Sequence, residues 1–181
     1  MIFLKNNGVF KMFCCFILLM GLFMGSLPVV QGMNEDQNTQ PRYQFRRYTD
    51  DSKSLQQMYY HIYVPDDYDE SLSYPLVIFL SLMGQDVAVN SQKYIDSSLL
   101  ADENIENYPC IILIPLIPED SYWVYNYFGE ISPGLDLTMS MIDFVCQEYS
   151  VDQRKIYITG LCSTATGVWD ALFRFPHKFA A

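Results

Sequence analysis

Short runs of consecutive apolar residues, each closed by polar or turn-forming residues, recur along the chain from residue 43 onward. Leu76 to Leu80 (LVIFL), Cys110 to Pro115 (CIILIP) and Ile156 to Thr159 (IYIT) have the pattern of strands buried on both faces. Gln57 to Val64 (QMYYHIYV) is rich in Tyr, Ile and Val and stops at Pro65-Asp66-Asp67, so it predicts another strand. Tyr43 to Tyr48 (YQFRRY) alternates and predicts an edge strand. Helical spacing separates these runs. Between Leu135 and Tyr149, apolar residues recur at Leu135, Met139, Ile142, Val145, Cys146 and Tyr149, one face of a helix. Ser132 suits the N-cap of that helix and Pro133 its first turn. Ser91 to Leu100 and Ser163 to Phe173 predict two more helices, the second ended by Pro176. Two strands followed by alternating strands and helices predict an α/β layer architecture, a mostly parallel sheet of about five strands with three helices.

The first 32 residues follow a different pattern. They contain no Asp or Glu. Lys5 and Lys11 precede an apolar run from Met12 to Met24 (MFCCFILLMGLFM), and Ser26 and Pro28 break it. That order is the order of a secretory signal peptide, with cleavage expected after Gly32. An uncleaved membrane anchor is the alternative, because the apolar core is close to spanning length. Residues 33–42 then form a polar linker and residues 43–181 the folded domain. The expected location is secreted or periplasmic, with no membrane association beyond the signal segment.

Composition narrows the function classes. The 181 residues are 50% hydrophobic, 15% aromatic and 18% charged, which excludes a disordered chain. Lys and Arg number 11 against 21 Asp and Glu, a net charge of −10. Loss of residues 1–32 removes Lys5 and Lys11 and no acid, so the charge becomes −12. A surface this acidic argues against nucleic acid as a partner. The remaining cysteines are Cys110, Cys146 and Cys162, an odd number without a CxxC pair. They form neither a disulfide framework nor a zinc site. No metal-ligand spacing, phosphate loop or dinucleotide fingerprint is present, so no cofactor is expected.

The candidate chemistry lies in KIYITGLCSTATGVWDALFRFP, residues 155–176. A buried strand, Gly160, two residues and a helix make the setting of a nucleophile elbow, with Cys162 at its tip. A helix N-terminus lowers the pKa of a thiol, and its backbone N–H groups can hold an oxyanion.

This segment resembles the esterase, predicted-peptidase, feruloyl esterase and poly(3-hydroxybutyrate) depolymerase-like branch of the α/β-hydrolase superfamily. VDQRKIYITGLCSTATGVWDALFRFPHKFAA is similar to the branch's elbow strand and helix without a gap. Upstream, YYHIYVPDDYDESLSYPLVIFLS and CIILIPLIPEDSYWV resemble its earlier strands and loops. The resemblance covers Leu55 to Ala181. It implies the N-terminal part of an α/β-hydrolase fold and a carboxylic-ester hydrolase lineage acting on a small-molecule ester or an acylated carbohydrate. Cys162 stands where the family has its nucleophilic Ser, and the backbone N–H groups of Met83 and Ser163 stand at the oxyanion hole.

Several departures bear on the chemistry. Thr164 and Ala165 replace the two glycines after the nucleophile, so GxSxG is not matched. Ser81-Leu82 replaces the His-Gly after the central strand, and Gly84 follows Met83. The family's catalytic Asp and His lie downstream of the elbow helix, where this sequence ends. The expectation is therefore a truncated domain without its later strands, inactive as given. A catalytically inactive pseudoenzyme or binding module, or a fragment of an active esterase, is the alternative. His177 is expected at the far end of the elbow helix and His61 at the surface of an early strand, so neither completes a triad. Asp170 is expected to be structural, Asp143 and Asp152 solvated or capping, and Cys110 and Cys146 core thiols. Tyr122, Trp123, Tyr125, Tyr127 and Phe128 read either as core cover and lid packing or as an aromatic wall for a sugar or phenolic substrate.

Overall fold

The apolar runs assemble into one sheet. The computed structural model describes residues 42–83, 100–126 and 129–180. In chain order the elements are β1 (Gln44–Thr49), β2 (Gln57–Tyr63), β3 (Tyr74–Leu80), α1 (Asp102–Asn107), β4 (Ile111–Leu116), α2 (Pro133–Glu148), β5 (Val151–Gly160) and α3 (Ala165–Arg174). The strand order is β1-β2-β4-β3-β5. β1 pairs antiparallel with β2, and β2 with β4. β3 runs parallel to both β4 and β5. The central register sets Ile78 beside Leu113 on one side and Ile158 on the other.

Both sheet faces are covered around the central strands, which explains their continuous apolar sequence. Met58, Tyr60, Ile62, Leu76, Ile78, Leu80, Ile111 and Leu113 face α2 and the buried Ala171 of α3. Tyr43, Tyr63, Phe79, Ile112, Ile114 and Leu116 form the opposite layer with Leu100. α2 begins as its sequence predicts. Ser132 Oγ accepts the Leu135 N–H at 3.2 Å, and Pro133 occupies the first turn. Ser132 also donates its hydroxyl to the Trp123 carbonyl at 2.7 Å, which ties the start of α2 to the preceding loop.

Some boundaries differ from the sequence pattern. β5 starts five residues before Ile156 and ends at Gly160. Of its first half, Val151 pairs with Tyr74, and the register then shifts so that Leu76 of β3 meets Ile156. α1 was not visible as a periodic segment because it buries no residue. The helix expected over Ser91 to Leu100 lies outside the described residues except for Leu100, which is buried. β5 ends the described sheet. Beyond α3 the chain returns alongside it, and the Ala180 N–H donates to the Ile156 carbonyl at 2.8 Å. No helix among the described residues is long and apolar enough to cross a membrane.

Candidate active site

The carboxyl ends of β3 and β5 leave the sheet side by side, because Leu80 is the register partner of Gly160. Met83 lies three residues beyond Leu80, and Cys162 two residues beyond Gly160. Both therefore belong to the edge where open parallel sheets bind ligands. Cys162 has φ of 56°, the only positive value at a non-glycine among the described residues. A non-glycine side chain in that region is strained and is held there by its surroundings. A single 3₁₀ turn over Cys162–Thr164 follows, and α3 begins at Ala165. Strand, left-handed residue and helix together make a sharp corner. Cys162 and Ser163 are exposed at its tip, while Thr164 is fully buried beneath them. The helix expected from Ser163 thus starts two residues later, because the 3₁₀ turn takes Cys162 to Thr164.

Close packing makes the corner possible. A Cβ at Gly160 would stand 2.5 Å from Thr164 Oγ1. A Cβ at Gly167 would stand 2.6 Å from Trp123 Cβ and 3.0 Å from Leu80 Cδ1. Trp123 is therefore a core wedge between the elbow helix and β3, with no exposed surface. Its indole N–H donates to the Ser81 carbonyl at 2.9 Å. Ser81, where the sequence lacks the family's His, is also buried. Its Oγ accepts the Ile117 N–H at 3.1 Å, and its own N–H donates to the Pro115 carbonyl at 3.3 Å. Sequence reasoning missed this role for Ser81; the signal was a hydroxyl directly after an unbroken apolar strand. Met83 is half-buried against the core. Gly84 lies outside the described residues.

Trp123 is core, whereas Tyr122 and Tyr125 are exposed and meet edge-to-face at 6.0 Å. Tyr127 and Phe128 lie outside the described residues.

Neither histidine approaches Cys162. His177 is exposed beyond the far end of α3, whose ten residues rise about 15 Å. His61 lies on β2, three strand positions from β5, about 14 Å at ordinary strand spacing. The expectation of a surface His61 is overturned, since the ring is 6% exposed. Alternation turns residue 61 onto a covered face, against Tyr43 at 4.6 Å and Phe45 at 5.3 Å. Both ring nitrogens are buried without a hydrogen-bond partner among the described residues. Burial lowers the His61 pKa, so the ring is held neutral.

Other acids have structural partners. Asp170 is buried and accepts from Arg174 Nε at 2.8 Å, and Arg174 also donates to the Gly129 carbonyl at 2.9 Å. Asp143 pairs with Lys178. Asp152 accepts the Arg154 backbone N–H at 3.0 Å, and that bond with the Arg154 side chain lowers its pKa. The three described thiols are free. Burial pushes Cys110 up to about 11 and raises Cys146, whereas Cys162 is the exposed thiol of the three. No group of three or more His, Cys, Asp or Glu among the described residues is arranged to hold a metal.

Solved structures share this fold. A thermostable esterase is 25% identical with a TM-score of 0.65, over 77% of this chain. The described sheet and helices match part of the α/β-hydrolase fold that esterases have. A ferulic acid esterase from the anaerobic fungus Anaeromyces mucronatus matches 84% of the chain at 16% identity and a TM-score of 0.54. A mutant feruloyl esterase module from Clostridium thermocellum, complexed with sinapinate, matches 76% at 14% identity and a TM-score of 0.52. The chain spans 39%, 61% and 51% of those three proteins respectively. No protein-family model and no curated protein matches it.

Proposed function

We propose that this protein is a secreted hydrolase-lineage protein that takes up acyl groups from carboxylic esters on Cys162. The left-handed backbone of Cys162 at the strand–helix corner carries the reading. The thiolate sulfur attacks the ester carbonyl carbon and an S–C bond forms. The carbonyl oxygen takes the negative charge, and the backbone N–H groups of Met83 and Ser163 receive it. The tetrahedral centre then collapses, the C–O bond to the alcohol breaks, and the acyl group remains as a thioester. Hydrolysis of that thioester needs a general base, and His61 and His177 do not supply one. The esterase neighbours support a small-molecule ester or an acylated carbohydrate as donor. Secretion rests on residues 1–32, with 33–42 as linker and 43–181 as the α/β-hydrolase domain.

Mixing the protein with p-nitrophenyl acetate tests the reading, because that leaving group departs without an acid. One equivalent of p-nitrophenolate should be released quickly and the acetyl group should map to Cys162. Cys162→Ala should abolish the burst. The second reading is a non-catalytic binding module, favoured by the distance of both histidines from Cys162. A folded protein that takes no acyl group on Cys162 would support it.

A further inference from the structure

Thr164 occupies the position where the resembled family carries a glycine, and its side chain is not idle. It is completely buried. Its Oγ1 donates to the Leu161 carbonyl at 3.0 Å, and its backbone N–H donates to the same carbonyl at 3.2 Å. Each bond is at the long end of its normal range, so the carbonyl is held by two modest donors from one residue. Thr164 also precedes α3, where a threonine commonly accepts a helix N–H to cap it. Here it makes no such bond and has helical dihedrals, φ −76° and ψ −18°. The hydroxyl is directed backward onto the turn that bears Cys162 instead of forward onto the helix. It fits there because residue 160 has no Cβ, whose place lies 2.5 Å from Oγ1.

We infer that Thr164 is a positioning residue for Cys162: its buried hydroxyl clamps the Leu161–Thr164 turn through the gap left at Gly160 and holds the thiol in its left-handed backbone. The inference rests on the reading of Cys162 as the acyl acceptor, but the clamp is a physical claim in its own right. A residue in strained backbone must be held by its neighbours. A glycine at 164 offers only its backbone N–H to Leu161. The pair of Gly160 and Thr164 therefore works as one device, and neither can change alone without disturbing Cys162.

The test uses the full chain and needs no ester hydrolysis, so failure of the clamp and failure of the acyl-transfer reading are separable. Thr164→Val removes the hydroxyl at nearly constant volume, and Thr164→Ser keeps it. Amide hydrogen exchange over residues 161–166 and the iodoacetamide rate at Cys162, resolved by peptide mass, are the readouts. In Thr164→Val, exchange in the turn should quicken about three- to tenfold, the range set by one net hydrogen bond. Alkylation of Cys162 should slow by a similar factor as the thiol leaves the helix N-terminus. Thr164→Ser should restore both, and exchange in α2 and β4 should stay unchanged. Gly160→Ala is the second arm, and it remains informative if Thr164→Val does not fold. It should displace the hydroxyl and slow Cys162 alkylation in the same way, with no added effect when combined with Thr164→Ala. Wild-type exchange and alkylation in Thr164→Val, failure of Thr164→Ser to restore them, or a wild-type Cys162 rate in Gly160→Ala would overturn the inference.

Discussion

His61 makes the stability of this fold depend on pH in a defined direction. The imidazole is packed among Tyr43, Phe45 and the strands of one sheet face, with neither ring nitrogen hydrogen-bonded among the described residues. Burial holds its folded pKa below the ordinary 6.5. The unfolded chain therefore binds a proton at this residue near pH 6.5 while the folded chain still resists it. Stability is unaffected well above that pH and falls as the pH drops through 6.5 toward the lower folded value. One proton corresponds to a slope of at most about 1.4 kcal/mol per pH unit. Between pH 7.5 and 5.5 the loss from His61 is bounded at about 1.4 kcal/mol. Urea unfolding of the wild type and of His61→Leu, close in volume, isolates the effect. The carboxylates of Asp50, Asp69 and Asp152, lowered by hydrogen bonds from Ser52, Ser71 and Arg154, act in the same direction at more acidic pH and are common to both proteins. The wild type should lose more stability than His61→Leu across this window, by a few tenths up to the bound. An identical pH dependence in the two proteins would refute the claim that His61 is buried neutral.

Three further outcomes follow from packing and burial. Gly167→Ala drives a methyl group against Trp123 and Leu80 and should cost about 1–3 kcal/mol, seen as a lower urea midpoint at unchanged slope. Trp123→Phe removes the N–H bonded to the Ser81 carbonyl and leaves that acceptor unpaired, which costs about 1–3 kcal/mol before any cavity is counted. In thiol labelling of the native protein at pH 8, Cys162 should react first, and Cys110, half-buried and pushed up to about 11, should react last. Equal rates at the two would contradict the burial described for Cys110.

The central strands and the sharp corner at Cys162 could be read from the chain because their physics is local. LVIFL and IILIP are apolar on both faces, and a run of that kind has few homes besides the middle of a covered parallel sheet. Ser132-Pro133 carried its own start signal for α2. The left-handed Cys162 follows from a strand and a helix separated by too few residues for a gentler turn. What escaped depends on partners distant in sequence. His61 looks polar in isolation, and only the face it shares with Tyr43 and Phe45 buries it. The buried hydrogen bonds of Ser81 come from Ile117 and Trp123, more than thirty residues away. Val151 extends β5 by pairing with Tyr74 across a polar stretch, which a search for apolar runs cannot see. Thr164 reads as an obstacle in the sequence, yet in the structure it fills the space above Gly160.

The account stands or falls on where an acetyl group goes. After brief exposure to p-nitrophenyl acetate, peptide mass mapping of the intact chain should find one acetyl group, on Cys162, and none on Cys110 or Cys146. A folded protein that releases p-nitrophenolate no faster than buffer, or whose acetyl group sits elsewhere with Cys162 untouched, would contradict it.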